Sequence, residues 1–120
     1  MNEISNLAAS SIRQRPGLLS LNVDDVAKIE VGPGCFRRDL PGTGDVRVWV
    51  VDMEPGAEWP YIDHHDDKGE EVFVVSGEVI EDGQRFGPGS YLFYGPGSSH
   101  RPRTDTGVRL FGFNLIEGGA

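Results

Sequence analysis

The hydrophobic positions of this chain fall in short runs that glycine and proline interrupt. From Leu18 onward, apolar runs alternate with turn signals such as Gly32-Pro33-Gly34 and Gly95-Pro96-Gly97. Turn signals that recur roughly every 8 to 12 residues are typical of an all-β sandwich or barrel. No stretch has the pattern of a long amphipathic helix. The predicted strands cover residues 28–31, 35–39, 45–53, 71–80, 84–86, 91–94 and 107–115.

Two of these strands carry apolar residues in an informative pattern. In residues 46–51 both sets of alternating positions are largely apolar. Because successive side chains of a strand point to opposite faces, this strand is predicted to be covered on one side by the barrel interior and on the other by a second layer or subunit. On the last strand, Phe111 and Phe113 alternate onto one face and are predicted to be core residues or pocket walls.

The composition agrees with a β architecture and sets the domain count. The 120 residues include 17 glycines and 8 prolines, too many turn-forming residues for a helical bundle. A chain of this length makes one domain. We expect an N-terminal arm over residues 1–17 and a single β-barrel domain over residues 18–120.

The charge argues against two classes of partner. There are 11 basic and 19 acidic residues, a formal net charge of −8. Binding to nucleic acid or to an anionic membrane surface requires many Lys and Arg side chains on the protein, so neither is expected as a partner. The sequence shows no bilayer-spanning apolar stretch and no signal-peptide pattern, and the lone Cys35 fits a reducing compartment. We therefore expect a cytoplasmic protein.

All three histidines lie in two short segments, residues 63–70 and 95–100. Imidazole nitrogen combined with carboxylate oxygen is a ligand set for Fe, Mn, Ni, Cu or Zn. The predicted metal ligands are His64, His65, Glu70 and His100, with Asp63 as a further candidate. His64 and His65 can both bind one ion only if the backbone bends between them, because strand side chains alternate. His65 ranks slightly above His64, and both stay open.

Other interpretations of these segments have weaker support. The alternating Asp loop of a calcium site and the Gly-Lys-Ser/Thr ending of a phosphate loop are both missing. A serine nucleophile beside His100 lacks an orienting acid and a strained turn. Three arginines could attract an acidic substrate if they lie near the site, but surface ion pairs are the expected outcome. They are Arg101, Arg103 and Arg109.

The two histidine segments resemble the paired motifs of the cupin superfamily. Residues 56–77 resemble the first motif, with Glu70 and Gly77 at its final glutamate and glycine, six residues apart. Residues 89–104 resemble the second, with Gly97 and His100 in place, Gly95 where proline is usual and Thr104 where asparagine is common. The first motif departs from the family at its His-x-His pair, where either Asp63 and His65 or His64 and Asp66 fall on the two positions.

More narrowly, residues 34–40, 69–74 and 96–100 resemble the cupin domain of zinc-binding anti-sigma factors. That group is similar to small cupin dioxygenases acting on acetylacetone and dihydroxyacetophenone. The resemblance implies an all-β, double-stranded β-helix (a jelly-roll barrel) with one divalent metal ion, Fe, Zn, Mn or Ni, held by residues 63–70 and 97–100. It also implies a homodimer formed through the outer sheets.

These expectations lead to one functional hypothesis and two alternatives. The hypothesis is a small metalloenzyme, dioxygenase-like, acting on a small oxygen-chelating substrate such as a diketone or hydroxyketone. The first alternative is a metal-binding sensor or regulatory module. Two features argue against it: no zinc-binding helical domain is expected before the barrel, and the N-terminal arm is too short to hold a sigma factor. The second is a metal-free cupin that binds a small molecule.

Overall fold

A computed structural model of the chain describes residues 13–42, 44–66 and 68–115. Within these residues there are twelve strands and one short 3-10 helix, Val23–Asp25, so the all-β prediction is confirmed. The strands are β1 (Arg13–Arg15), β2 (Leu18–Ser20), β3 (Ile29–Gly32), β4 (Cys35–Leu40), β5 (Val46–Met53), β6 (Asp63–His64), β7 (Glu70–Gly77), β8 (Val79–Glu81), β9 (Gln84–Phe86), β10 (Tyr91–Tyr94), β11 (Ser99–His100) and β12 (Val108–Leu115).

The architecture is one large antiparallel sheet and three separate strand pairs. The large sheet has the order β10-β7-β12-β5-β4-β3, and the pairs are β1-β2, β6-β11 and β8-β9. The buried core combines inward side chains of the large sheet with residues from outside it, such as Trp59 and Val79. The core therefore lies between the large sheet and the chain segments that close the barrel.

The predicted strands are found, with one difference. The run predicted over residues 71–80 is two strands, because Gly77 has φ of +71° and turns the chain before β8. A Cβ at this position would overlap the backbone carbonyl oxygen of Gly107. Only glycine combines this left-handed conformation with so close a backbone approach.

Strand register divides the inner face of the large sheet into two ends. At the first, the polar end, a row of side chains runs across four strands: Tyr94, Glu70, Asn114 and Arg47. At the second, the apolar end, the inward side chains are hydrophobic and buried: Cys35, Val51, Met53, Val74, Val108 and Leu110. The same strands therefore supply both a packed core and a polar barrel mouth.

The outer face of the large sheet is covered in part by the chain itself. Arg38 donates hydrogen bonds to the carbonyl oxygens of Val23, Asp24 and Val26, which holds the 3-10 helix against β4. Val26 and the outward Val50 are both buried. This segment of the chain thus lies against the outer side of β4, and the subunit contact expected at β5 stays a prediction.

Two predictions near the ends of the chain have different outcomes. Phe111 is exposed on the outer face while Leu110 faces the core, so the assignment of Phe111 and Phe113 to core or pocket is wrong. A one-residue change of phase moves every side chain of a strand to the opposite face. Residues 1–12 of the predicted arm lie outside the described residues, and β1 pairs with β2 across the turn at residues 16–17.

No helix in the described part of the chain is long and apolar enough to cross a membrane.

Candidate metal centre

Four side chains converge at the polar end of the barrel. One ligand atom from each of Asp63, His65, Glu70 and His100 lies within 4.8 Å of those of the other three. Antiparallel pairing of β6 with β11 sets Asp63 opposite His100, and Glu70 opens β7 beside them. The structure therefore brings together three of the four predicted ligands, with Asp63 as the fourth member of the group.

The remaining predicted ligand, His64, does not join this group. Its side chain is exposed, while His65 retains only 8% exposure as a residue. Asp63 and His65 lie two positions apart and share a face, so His64 points elsewhere. The frame that puts Asp63 and His65 on the two motif positions is the one that the geometry favours.

His65 is fixed in one tautomer by Ser98. The Ser98 hydroxyl donates to the carbonyl oxygen of Gly95 at 2.7 Å, and its oxygen lies 2.9 Å from Nδ1 of His65. A hydroxyl has a single proton, so Nδ1 of His65 must be the donor in that pair. The lone pair of Nε2 is then directed at Glu70 Oε2 and Asp63 Oδ2, each 3.3 Å away.

His100 is fixed in the same way by a carboxylate. Its Nδ1 lies 2.8 Å from Glu81 Oε2, which also accepts a 2.6 Å hydrogen bond from the Tyr94 hydroxyl. Nε2 of His100 is left facing Asp63 Oδ2 at 3.3 Å. A carboxylate that orients a histidine from outside is a common support for a metal ligand. The Tyr94 ring stacks on both imidazoles, with centroid distances of 4.1 Å to His100 and 5.0 Å to His65.

Glu70 is positioned by a chain of contacts across the sheet. Its Oε1 accepts a 3.1 Å hydrogen bond from the Asn114 amide, and Asn114 Oδ1 accepts a 2.9 Å bond from the Trp49 indole. The Trp49 ring lies directly against Gly112, where any Cβ would overlap the indole. The small residue at 112 therefore seats Trp49, which orients Asn114 and through it Glu70.

This donor set fits a divalent metal ion. With both Nδ1 protons engaged elsewhere, two imidazole lone pairs and two carboxylates face one another, an arrangement that needs a cation or extra protons between them. Metal–ligand bonds of about 2.1 Å place neighbouring ligand atoms about 3.0–3.4 Å apart in octahedral or tetrahedral geometry. The contact of His65 Nε2 with Glu70 Oε2, at 3.3 Å, falls in that range, as do the 3.3 Å contacts of both histidines with Asp63 Oδ2.

The pKa shifts show how protons occupy the cluster in the absence of metal. Burial raises the pKa of Glu70, and the nearby Asp63 charge adds to the rise. Burial by itself lowers the pKa of His100, but hydrogen bonds to Asp63 and Glu81 outweigh it and raise that pKa to about 9. Burial and the bond to Glu81 raise the pKa of Tyr94, so its hydroxyl stays protonated. A proton on His100 thus stands in for part of the charge of a metal ion.

Two adjoining cavities give access to this group. The inner one, of about 150 Å³, extends toward the core between side chains such as Trp49, Met53 and Trp59. The outer one, of about 370 Å³, is bordered by exposed residues including His64 and Asp66. Four residues line both cavities, and they are Arg47, Asp63, Glu70 and Asn114.

Several residues of this site were not predicted from the sequence. Asn114 and Arg47 are polar residues in phase with the inward Leu110 and Trp49, and that alternation was a usable signal. Ser98 and Glu81 carry no signal that separates them from ordinary surface residues. The three arginines expected to form surface pairs do so, Arg101 with Glu58, Arg103 with Asp105, and Arg109 with Asp52 and Asp24.

Comparison with known families supports the resemblance inferred from the sequence. The sequence profile of the ChrR cupin-like domain matches residues 19–115. No curated protein matches the chain at a significant level. The similarity to cupins inferred from the two histidine motifs is therefore confirmed.

Solved structures share the fold at low sequence identity. An RmlC-like cupin from Shewanella frigidimarina superposes with a TM-score of 0.69 at 20% identity, covering 90% of this chain and 96% of that one. A chain from the Rhodobacter sphaeroides complex of SigE with the anti-sigma ChrR gives 0.68 at 20% identity, covering 78% of this chain and 51% of that one. The polyketide cyclase RemF from Streptomyces resistomycificus gives 0.67 at 19% identity, covering 82% and 79%. The double-stranded β-helix fold is thus confirmed.

Proposed function

This chain belongs to the ChrR cupin-like domain family, and we propose that it is a small metal-dependent enzyme acting on an oxygen-chelating substrate such as a diketone or hydroxyketone. The observation that carries the proposal is the convergence of Nε2 of His65, Nε2 of His100 and the Glu70 carboxylate beside a cavity. Two histidines and one carboxylate leave coordination positions open for a substrate. We place Fe, Zn, Mn or Ni at this site, one ion per chain.

Three residues hold the ion in this proposal because each has an orienting partner outside the cluster. Ser98 orients His65, Glu81 orients His100, and Asn114 orients Glu70. Such outer partners usually change metal affinity 10- to 100-fold when removed. A bound divalent ion would polarise the carbonyl oxygens of a chelating substrate and, if it is iron, activate dioxygen.

Asp63 has a different role in this proposal. Its side chain is 33% exposed, against 2% for His65 and 12% for Glu70, and it lines both cavities. A carboxylate with this access is placed to take the acidic proton from the carbon between two carbonyl groups. Asp63→Asn should then keep metal affinity within about tenfold and lose most turnover, whereas Glu70→Gln should lose both.

The reaction proposed is cleavage of a carbon–carbon bond beside a carbonyl, with dioxygen as oxidant and both of its atoms retained in the products. The test is oxygen uptake by protein loaded with Fe²⁺ under anaerobic conditions and then mixed with acetylacetone or a hydroxyketone. We expect substrate-dependent uptake in the wild type and in His64→Ala, and its loss in His100→Ala. Iron-loaded protein that takes up no oxygen with any of these compounds would overturn the enzymatic proposal.

A second candidate function is a metal-binding regulatory module. It is favoured by the match to the ChrR cupin-like domain and by the similarity to a chain from the SigE complex with the anti-sigma ChrR. Binding of a purified sigma factor that changes when the metal is removed would support this function. Rapid turnover of a diketone with no such binding would favour the enzyme.

A further inference from the structure

The polar end of the barrel contains a cation that the metal site does not use. Arg47 lies in the same row as Asn114 and Glu70, and its position in β5 is in phase with the inward Trp49 and Val51. It lines both cavities next to the ligand group. No hydrogen bond or ion pair joins its guanidinium to any residue within the described ranges.

The other arginine at the inner cavity is different. Arg37 makes two hydrogen bonds to Asp39, at 2.9 Å and 3.3 Å, so its charge is matched by a neighbour on the same strand. Of the two cavity-lining arginines, Arg47 is thus the one with donors available to a ligand. Guanidinium groups pair with carboxylates through two parallel hydrogen bonds, which gives direction as well as affinity.

A bound divalent metal ion would balance the charge of the two carboxylates that face it. A divalent ion with the carboxylates of Asp63 and Glu70 and two neutral imidazoles has no net charge. The remaining cluster carboxylate, Glu81, already accepts hydrogen bonds from His100 and Tyr94. Arg47 is the only cation among the four residues that line both cavities, so a ligand carboxylate at this border would have a guanidinium to pair with.

Cavity size and lining limit the rest of the ligand. An apolar cavity of about 150 Å³ holds a group of roughly the size of benzene. The inner cavity has this volume, and its deep walls are apolar side chains such as Val51, Met53 and Leu110. The ligand is therefore short, with an apolar end toward the core and its oxygen atoms toward the polar end.

We infer that the ligand of this site is a small organic monoanion, a carboxylate of about six to eight non-hydrogen atoms, whose carboxylate Arg47 recognises beside the metal. The inference rests on the proposed function, because it requires a metal in the same site. It narrows the substrate class from oxygen-chelating compounds in general to short oxo or hydroxy acids.

The test uses two ligands of the same size that differ in charge. Acetoacetate and acetylacetone have equal numbers of non-hydrogen atoms, and only the first is an anion at neutral pH. Zinc-loaded protein, which cannot activate dioxygen, is titrated with each by calorimetry, and zinc retention is measured afterwards. We expect acetoacetate to bind at least tenfold more tightly than acetylacetone.

Variants assign that preference to Arg47. Arg47→Met should weaken acetoacetate binding about tenfold and leave acetylacetone unchanged, and Arg47→Lys should fall between Arg47→Met and the wild type. Arg85→Met is the control, because it removes the same charge from a residue that lines neither cavity. It should change neither affinity by more than about twofold.

The outcomes separate this inference from the proposed function. Zinc binding with equal affinity for the two ligands, with affinity for neither, or with an unchanged preference in Arg47→Met overturns the inference and leaves the metal site intact. Failure to bind zinc or iron at all overturns both.

Discussion

The polar and apolar ends of the inner sheet face are built on the same strands but are stabilised in opposite ways. At the apolar end, side chains such as Val74 and Cys35 are fully buried against other hydrophobic groups. At the polar end, Glu70 and His100 are each held by a hydrogen bond from or to a side chain outside the cluster. Their remaining carboxylate oxygen and imidazole nitrogen belong to a group of possible metal-binding atoms that lie within 4.8 Å of one another. Burial stabilises the first end without a ligand, whereas the second is complete only with protons or a cation.

This difference explains how one short domain can carry both a stable fold and a candidate metal site. Apolar burial is non-directional, whereas groups that bind a metal ion must be held within about 0.5 Å of the required geometry. The structure meets the second demand through rigid neighbours, with Tyr94 against both imidazoles and Trp49 seated on Gly112. We therefore expect substitutions at one end to change stability and substitutions at the other to change metal affinity.

The largest expected effect is on stability, at the apolar end. Gly77→Ala combines a left-handed backbone with an overlap onto the carbonyl oxygen of Gly107, and we expect a loss of about 3 kcal/mol or more in the free energy of unfolding. Gly83→Ala is the matched control, because Gly83 has a similar φ of +79° with open space around it. It should lose only about 1 kcal/mol in urea unfolding. Equal losses would show that the close approach at Gly77 carries no weight.

The next effect is on metal affinity, at the polar end. Glu70→Ala and His100→Ala should each weaken zinc binding roughly a hundredfold, because each removes one of the three proposed protein ligands and the whole ligand set of a structural zinc site supplies about 10–16 kcal/mol. Metal-free stability in urea should change much less than in Gly77→Ala. His64→Ala, a neighbouring but exposed histidine, should leave the Kd unchanged. A hundredfold loss in His64→Ala would instead place the ion on the other histidine.

The pH dependence of the two states should have opposite signs. The pKa of His100 is raised to about 9, so its proton stabilises the metal-free fold fully below pH 6.5, and that contribution is lost as the pH rises through 9. Metal binding requires the neutral imidazole, so the zinc Kd should fall by about tenfold between pH 7 and pH 8. Calorimetry in buffers of different ionisation enthalpy should find about one proton released per ion at pH 7. A Kd that is flat over this range would contradict the assignment of His100 as a ligand.

The smallest expected effect is on the zinc Kd, in a comparison of substitutions at two buried tryptophans. Trp49→Phe removes the indole donor that orients Asn114, and the zinc Kd should rise about three- to tenfold. Trp59→Phe removes an indole N–H that has no acceptor among the described residues, so the zinc Kd should stay unchanged. The smaller ring leaves a gap in the core and should lower the free energy of unfolding by about 1–3 kcal/mol. Similar effects of the two substitutions on the zinc Kd would contradict the role given to Trp49 in positioning Glu70 through Asn114.

The sequence was sufficient to predict the all-β fold and to indicate where a candidate site lies. Turn spacing predicted the longer strands but not the short β1, β2, β6 and β11, and the two histidine segments indicated a candidate centre around Glu70 and His100. Alternation alone left the His64 and His65 pair open, because the local backbone direction of a two-residue strand depends on its pairing with β11. The prediction that Phe111 faces inward was wrong, because both faces of the last strand carry apolar residues and alternation alone does not show which face is buried.

The supporting residues were beyond the reach of sequence reasoning for a physical reason. Ser98 and Glu81 act through contacts between segments that are distant along the chain, with separations of 33 positions to His65 and 19 to His100. Arg47 was not predicted as a site residue because a single charged residue near the start of a strongly apolar strand looks like an ordinary solvent-exposed strand end. Its position beside Asn114 follows only from the register of β5 with β12.

The central claim is that one divalent ion binds between His65, Glu70 and His100, and a crystal structure of zinc-loaded protein tests it most directly. Anomalous scattering at the zinc edge should show a single strong peak per chain within bonding distance of Nε2 of His65, Nε2 of His100 and the Glu70 carboxylate. A peak bound by His64 instead, or no peak in protein crystallised with excess zinc, would contradict the account.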